Sequence, residues 1–150
     1  ERPTQSAHAL KSGAFHTNAD LDYTVVQIQP PGYTFEPLII FPTSVRKEAR
    51  VSIIQHPGGS YKKISMQNNF VQYADARFVQ YTTSTEPGSS GSPVFNGDFH
   101  VVALHHAGGM IPEPSTTHRY LRNEGISMMA IMNDLRQNAP ELFKQVTLKG

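Results

Sequence analysis

Hydrophobic and β-branched residues recur along the chain in short runs that turn-forming residues separate. The runs lie at 23–29, 37–41, 50–55, 62–66, 77–82 and 99–106. Pro30-Pro31-Gly32, Pro57-Gly58-Gly59 and Asn96-Gly97-Asp98 stand between them, and the last of these predicts a hairpin turn between Phe95 and Phe99. Many short strands of this kind favour an antiparallel barrel or sandwich.

The hydrophobic period changes near the C-terminus. Apolar side chains recur there at i, i+3, i+4 and i+7, at Met128, Ile131, Met132 and Leu135. This stripe predicts an amphipathic helix over about 127–137 that follows the last strand. Pro140 permits a second short helical turn after it, because proline is tolerated in a first turn.

Composition and charge exclude several classes of protein. The 150 residues suit one domain or a large part of one, and 13 basic and 12 acidic side chains are interspersed to give a net charge of +1. We therefore expect neither a nucleic-acid partner nor a membrane partner. No run approaches the roughly 20 apolar residues that span a bilayer. The chain starts at Glu1 rather than methionine, so we expect it to be a processed or partial sequence.

Cysteine is absent from the sequence. Disulfides and thiolate metal sites are thereby excluded. The absence favours a reducing compartment such as the bacterial cytoplasm. Secretion remains the alternative, because many secreted bacterial proteins also lack cysteine.

The segment Gly88-Ser89-Ser90-Gly91-Ser92-Pro93 carries the strongest chemical signal. A serine hydroxyl becomes a nucleophile when a base removes its proton and donors stabilise the resulting oxyanion. The glycines allow a bend that would point the N–H groups of Gly88 and Ser90 at one spot, as an oxyanion hole requires. The same composition also suits a flexible loop, but the position between two predicted strands favours the catalytic interpretation.

This segment resembles the nucleophile motif of trypsin-like, chymotrypsin-fold serine peptidases, which reads Gly-Asp-Ser-Gly-Gly-Pro or Gly-Asn-Ser-Gly-Ser-Pro. The chain differs from both forms at Ser89. Similar stretches at 51–59, 103–109 and 123–126 extend the resemblance over residues 14–136, to a bacterial branch that is similar to glutamyl endopeptidases. The resemblance implies an all-β, double antiparallel β-barrel with a C-terminal α-helix.

The stretch Leu21-Asp22-Tyr23-Thr24-Val25-Val26-Gln27-Ile28 resembles the strand that begins with the catalytic aspartate in this family. Asp22 would accept a hydrogen bond from Nδ1–H of the catalytic histidine and hold its tautomer. An aspartate before a strand is more often a turn residue, but the order of Asp22 before Ser90 favours the catalytic interpretation. Asp20 is the alternative.

The sequence lacks a matching motif for the catalytic histidine. Family members carry it in a Thr-Ala-Ala-His or Thr-Asn-His-His type of motif, some tens of residues before the aspartate. Histidines in other contexts are His8, His16, His56, His100 and His118. We therefore expect the catalytic histidine to lie outside this chain. Residues 1–45 would be the remainder of the first barrel and the inter-barrel linker, 46–124 the second barrel with the nucleophile loop, and 125–150 a C-terminal helical segment.

The resemblance also implies where substrate binds. Ser84 would form the floor of the primary pocket, so cleavage after Lys or Arg is not expected. Thr85 and His105 stand where glutamyl endopeptidases bind a substrate carboxylate, and both could donate hydrogen bonds. Otherwise Thr85 is an ordinary strand residue and His105 packs in the wall of the cleft. Glu86 opposes an acidic preference if it faces the pocket.

The substrate backbone would pair with the edge formed by His106, Ala107 and Gly108. Adjacent strand residues point to opposite faces, so His105 and His106 are not expected to share a metal. We expect no metal and no cofactor.

Two functions remain open from the sequence. The first is a serine endopeptidase that forms an acyl-enzyme on Ser90, with protein or peptide substrates and with the missing N-terminal segment or other domains of a larger protein as partners. The alternative is a catalytically inactive protease-like domain that binds or scaffolds, since fold does not imply function.

Overall fold

The computed structural model describes residues 8–29, 32 and 36–147. In these ranges the chain forms nine strands, a 3-10 turn at Pro57–Gly59 and two helices. The strands are β1 Leu10–Asn18, β2 Tyr23–Ile28, β3 Ser52–Gln55, β4 Lys63–Ser65, β5 Val71–Ala74, β6 Phe78–Tyr81, β7 Pro93–Phe95, β8 Val101–Pro112 and β9 Arg119–Ser127. The helices are α1 Met128–Asn138 and α2 Pro140–Thr147.

The strands form two antiparallel sheets. β1 and β2 pair as a two-stranded ribbon, and the other seven strands follow the order β4-β3-β7-β8-β9-β6-β5. The predicted all-β class is confirmed. The predicted hairpin is also present, because β7 and β8 pair across residues 96–100, where the side chain of Asn96 accepts hydrogen bonds from the N–H groups of Asp98 and His100.

In the described ranges the large sheet does not close through a continuous ladder of strands. The edge strands β4 and β5 do not pair with each other. The chain before β3 instead reaches the start of β5 through the bridge between Arg50 and Phe70. Backbone hydrogen bonds from Val51 N to Asn69 O and from Val71 N to Ala49 O, both 2.9 Å, support this contact.

The predicted strand at 37–41 is wrong. Only Ile40 forms a bridge there, in parallel with Val101. Proline at 37 and at 42 removes backbone donors on both sides, and this prevents a longer ladder. The strands β1, β5 and β9 were not predicted, and β7 was implied only by the hairpin turn after Phe95.

The large sheet buries side chains on both faces. One cluster of buried side chains includes Ile53 of β3, Tyr81 of β6 and Val94 of β7. A second cluster joins Phe95 and Ile126 of the sheet to the apolar stripe of α1 and to Tyr23 of the ribbon. Because Tyr23 belongs to the second cluster, the ribbon docks on the helix as well as on the sheet.

Both predicted helical segments are confirmed. Ser127 caps α1 by accepting a hydrogen bond from Met129 N at 3.2 Å. The segment after Pro140 is a helix of eight residues rather than a short turn. Neither helix in the described ranges has the length and apolar character that a membrane-spanning helix requires.

A single carboxylate fastens the ribbon to α1. The side chain of Asp134 is 9% exposed and lies 2.7 Å from His16 Nε2. It also accepts hydrogen bonds from Asn18 Nδ2 at 2.8 Å, from Asn138 Nδ2 at 2.7 Å and from the hydroxyl of Tyr23. Burial opposes ionisation, but these hydrogen bonds lower the pKa of Asp134 to about 2. The carboxylate therefore fixes the ribbon whose turn carries Asp22.

Replacing Asp134 by alanine should lower the free energy of unfolding by about 3 kcal/mol, because three ribbon side chains lose a charged acceptor. The exposed neighbour Asn133→Ala should change it by less than about 0.5 kcal/mol. Urea denaturation at neutral pH measures both. The contribution of Asp134 to the free energy of unfolding should be complete at pH values above 3.8, the ordinary pKa of aspartate. It should disappear as the pH falls through the folded-state pKa of about 2. Equal stability of the two variants would contradict this account.

Candidate active site

The loop between β6 and β7 bends sharply around Ser90. Gly88 has a φ of +96° and Gly91 a φ of +82°, which are left-handed values that favour glycine. Ser89 N donates to Glu86 O and Ser92 N donates to Ser89 O, both at 3.1 Å. These bonds turn Ser89 into the interior, where it is buried, and leave Ser90 exposed at the tip.

Within residues 88–92, two backbone N–H groups have no acceptor in the described part of the chain. They belong to Gly88 and Ser90, whereas the N–H groups of Ser89, Gly91 and Ser92 are all hydrogen-bonded. Gly91 N donates to His105 O at 2.8 Å and so ties the loop to β8. The loop therefore leaves unbonded the two donors that an oxyanion hole at Ser90 requires.

The 3-10 turn at Pro57–Gly59 supports the loop from behind. Gly58 N donates to Pro87 O at 2.7 Å. A Cβ at position 88 would lie 3.1 Å from Gly59 N and 3.2 Å from His56 O, so the loop and the turn are in close backbone contact. Since both neighbouring atoms belong to the backbone, the space at 88 suits only glycine.

A cavity of about 600 Å³ opens beside Ser90. Its lining includes every residue that the sequence predicted for substrate binding: Ser84, Thr85, His105, His106, Ala107 and Gly108. Glu86 and Arg122 add one carboxylate and one guanidinium to the wall. Gly88 lines a second cavity of about 420 Å³, which also contains Ser90. Ser90 therefore stands between two cavities.

Asp22 lies outside both cavities and ends the turn of the ribbon. Its φ of +48° is a left-handed conformation that aspartate tolerates better than most residues, and Asp22 N donates to Ala19 O at 3.3 Å. Its Oδ2 lies 3.4 Å from Nδ1 of His106, which lines the larger cavity. Asp22 therefore contacts a residue of the cavity wall, although it does not line the cavity itself. Asp20, the alternative, contributes its backbone carbonyl to Arg77.

His106 lies between two carboxylates. Its Nε2 is 3.1 Å from Oε1 of Glu124 on β9, and its ring stacks on Phe78 with the centroids 6.3 Å apart. The hydrogen bond with Glu124 raises the pKa of His106, burial opposes the rise, and the charges of Glu124 and Asp22 add to it. Both ring nitrogens are therefore committed to acceptors.

His105 lines the larger cavity and is buried against the core. Its Nδ1 lies 2.9 Å from the hydroxyl of Tyr81. Burial and the neighbouring charge of His106 lower the pKa of His105 to about 4, against a hydrogen bond with the backbone of Glu124. At neutral pH the imidazole of His105 is uncharged.

Asn123 is a cavity residue to which the sequence assigned no role. It is buried, its Nδ2 donates to Thr83 O at 2.8 Å, and its Oδ1 accepts from Thr85 Oγ1 at 2.6 Å. A Cβ at Gly108 would lie 2.5 Å from Oδ1 of Asn123. Asn123 thus packs directly against Gly108 across the β8–β9 pair. The resemblance included residues 123–126, but only the strand register brings Asn123 opposite Gly108.

Four other described histidines contact groups other than Ser90, and one of them, His56, also lines the smaller cavity with Ser90. His16 binds Asp134, and His56 Nδ1 lies 3.0 Å from Ser60 O. His100 and His118 lie beside the aromatic rings of Phe41 and Tyr120.

A family model for the trypsin-like peptidase domain matches residues 2–104, which is more than half of the chain. The chain belongs to this family. The trypsin-like match includes Asp22 and Ser90 and ends one residue before His105.

Curated proteins similar to this trypsin-like domain come from distant organisms. An uncharacterized protein of Sinorhizobium fredii, y4fB, is 38% identical over 104 residues, which cover 59% of this chain and 16% of that protein. Secreted RxLR effector protein 73 of Plasmopara viticola is 30% identical, with 87% of this chain and 33% of that protein covered. Serine protease FAM111B of Homo sapiens is 24% identical, with 87% and 23% covered. The chain thus spans a third or less of the length of these relatives.

Proposed function

We propose that this trypsin-like domain is a serine endopeptidase in which Ser90 attacks the scissile carbonyl and forms an acyl-enzyme. The observation that carries the proposal is the pair of unbonded N–H groups at Gly88 and Ser90 beside an exposed serine hydroxyl. Losing one such donor costs about 3 kcal/mol of transition-state stabilisation. The C–N bond of the substrate breaks as the amine leaves with a proton from the catalytic histidine, and water then hydrolyses the acyl-enzyme to release the acid and regenerate Ser90.

The edge of β8 supports binding of a peptide backbone next to Ser90. The ladder between β7 and β8 ends at the pair of Pro93 and Leu104, after which His105 N still donates to Ser92 O at 2.9 Å. Beyond that point, Ala107 and Gly108 pair with β9 on one side only, within the described chain, and His106 stands at a bulge between them and His105. An extended substrate could add there as a strand, with its side chain in the larger cavity.

The base in this mechanism is a histidine from outside these 150 residues, supplied by a preceding segment of the same protein or by another domain. His106 is unsuited to the role, because both of its nitrogens face carboxylates and its raised pKa favours the protonated form. Asp22 would orient the incoming imidazole through Nδ1–H. The Oδ1 atom of Asp22 makes no hydrogen bond in the described ranges and is available for it.

We further propose that the cavity selects the substrate side chain before the scissile bond by hydrogen bonding. Thr85 and His105 support the acidic preference that the resemblance implies, since both line the cavity. The electrostatics limit this preference, because His105 is uncharged at neutral pH and the hydroxyl of Thr85 already donates to Asn123. Glu86 in the same wall repels a carboxylate.

Matched fluorogenic peptides with glutamate or glutamine before the scissile bond should therefore have kcat/KM values within about tenfold of each other at neutral pH. A neutral amide and a carboxylate of the same length meet the same hydrogen-bonding groups. A peptide with lysine at that position is the control and should be cleaved more slowly than both. Preference for glutamate above about a hundredfold would contradict hydrogen bonding as the basis of selection.

Fluorophosphonate labelling with peptide mapping tests the proposed function. We expect the label on Ser90 in the protein that includes the histidine-bearing segment, and little or no label on the 150-residue chain alone. Ser90→Ala should abolish labelling. Ser89→Ala is the matched control, because the buried Ser89 hydroxyl is out of reach of the reagent. A folded protein that contains a histidine suited to Asp22 and leaves Ser90 unlabelled would overturn the proposal in favour of an inactive domain that binds or scaffolds.

A further inference from the structure

The contact between the ribbon and the large sheet at the cavity mouth depends on one imidazole. Asp22 is on the ribbon turn and its side chain is 72% exposed. In the described ranges its only side-chain hydrogen bond is the one with His106. The orientation of the Asp22 carboxylate therefore depends on His106 rather than on burial.

His106 is itself held on three sides. Glu124 contacts Nε2, Asp22 contacts Nδ1, and Phe78 stacks against the ring at an interplanar angle of 13°. Glu124 is fixed in turn, since its Oε2 accepts a hydrogen bond from Gln80 Nε2 at 2.8 Å and the residue is buried. The Glu124 carboxylate therefore has both oxygens engaged, one by Gln80 and one by His106.

Four titratable or charged side chains of the described residues surround His106. Asp22 faces it from the ribbon and Glu124 from β9. His105 adjoins it on β8 and is uncharged at neutral pH. The guanidinium of Arg77 lies 5.2 Å from the centre of the Phe78 ring on which His106 stacks. With two carboxylates in direct contact, the site favours the imidazolium ion, in which both nitrogens donate.

We propose that His106 is the positioning residue for Asp22: it donates from Nδ1 to Oδ2 of Asp22, is braced by Glu124 at Nε2, and leaves Oδ1 of Asp22 to orient the catalytic base. This inference rests on the proposed function. His106 touches no reacting atom in this scheme, and it acts only through Asp22. The sequence predicted that His106 lies on the edge that binds the substrate backbone. In this proposal its main chain keeps that role, and its side chain positions Asp22.

The His106–Asp22 contact can be tested without catalysis. NMR titration of the ring nitrogens of His106 should give a midpoint above the ordinary histidine pKa of 6.5. Asp22→Asn should lower the titration midpoint, and Asp20→Asn, two residues away on the same turn, should leave it unchanged. A midpoint that is the same in wild type and Asp22→Asn would overturn the contact. This result is independent of whether Ser90 reacts, so it separates failure of this inference from failure of the proposed function.

A double-mutant cycle tests whether His106 acts through Asp22. His106→Phe keeps a ring on Phe78 but removes both donors, and it should lower kcat by up to about a hundredfold with little change in KM. In an Asp22→Ala background the same substitution should have almost no further effect. The exposed histidine variant His118→Phe is the control and should keep full activity. An equal loss from His106→Phe in both backgrounds would overturn the proposal.

Discussion

Ser90→Ala should lower kcat for peptide hydrolysis by about a millionfold in the active protein, because no acyl-enzyme can form. The same change should leave the melting temperature unaffected. Ser90 is exposed, and its hydroxyl makes no hydrogen bond in the described part of the chain. Turnover of a fluorogenic peptide and a thermal unfolding curve measure the two quantities on the same samples.

The neighbouring Ser89→Ala is the matched control for this experiment. Ser89 lies in the same loop, but it is buried, and its hydroxyl is 3.4 Å from Glu86 N. Its removal should cost some stability and leave activity largely intact. If Ser89→Ala lost activity and Ser90→Ala kept it, Ser90 would not be the nucleophile.

Asp22→Asn should lower kcat by about ten thousandfold, since the amide can no longer hold the catalytic histidine in the required tautomer. Asparagine also tolerates the left-handed conformation at this position, where φ is +48°, so the turn should keep its shape. The loss should appear in kcat rather than in KM, because Asp22 lies outside the cavity. Steady-state kinetics with a fluorogenic peptide separates the two constants.

Asp20→Asn is the control that decides between the two aspartates of the ribbon turn. The side chain of Asp20 makes no hydrogen bond in the described ranges, and only its carbonyl contacts Arg77. We expect wild-type kinetics from this variant. A large loss in Asp20→Asn, with near-normal Asp22→Asn, would transfer the role to Asp20.

The nucleophile loop was predictable because its determinants are local. Glycine at 88 and at 91 provides the left-handed φ values that the bend requires, and these residues stand beside Ser90 in the sequence. The apolar stripe of α1 was equally local, with all four of its residues buried on one face. Such signals need no knowledge of distant parts of the chain.

Pairing between distant strands explains what was missed. β9 contains two arginines, an asparagine and a glutamate, so its composition does not resemble a buried strand. Its partners β6 and β8 bury it and satisfy those groups, as the contacts of Glu124 with Gln80 and His106 illustrate. The segment 37–41 has the composition of a strand, but its backbone forms only one bridge, between Ile40 and Val101, so it is not a strand.

The contact between Asp22 and His106 was also beyond sequence reasoning. The two residues are 84 positions apart, and they meet because Asp134, the core contacts of Tyr23 and the contact of Arg77 with Asp20 O dock the ribbon. Local patterns placed each on a plausible strand or turn but carried no information on their distance.

Acyl-enzyme trapping tests the central claim most directly. The active protein is mixed with a slowly deacylating nitrophenyl ester, quenched in acid after about one turnover, digested and mapped by mass spectrometry. The account predicts one acyl group per protein, carried by the peptide that contains Ser90, and none in Ser90→Ala. Acylation of another residue, or no acylation in a folded protein that hydrolyses peptides, would contradict it.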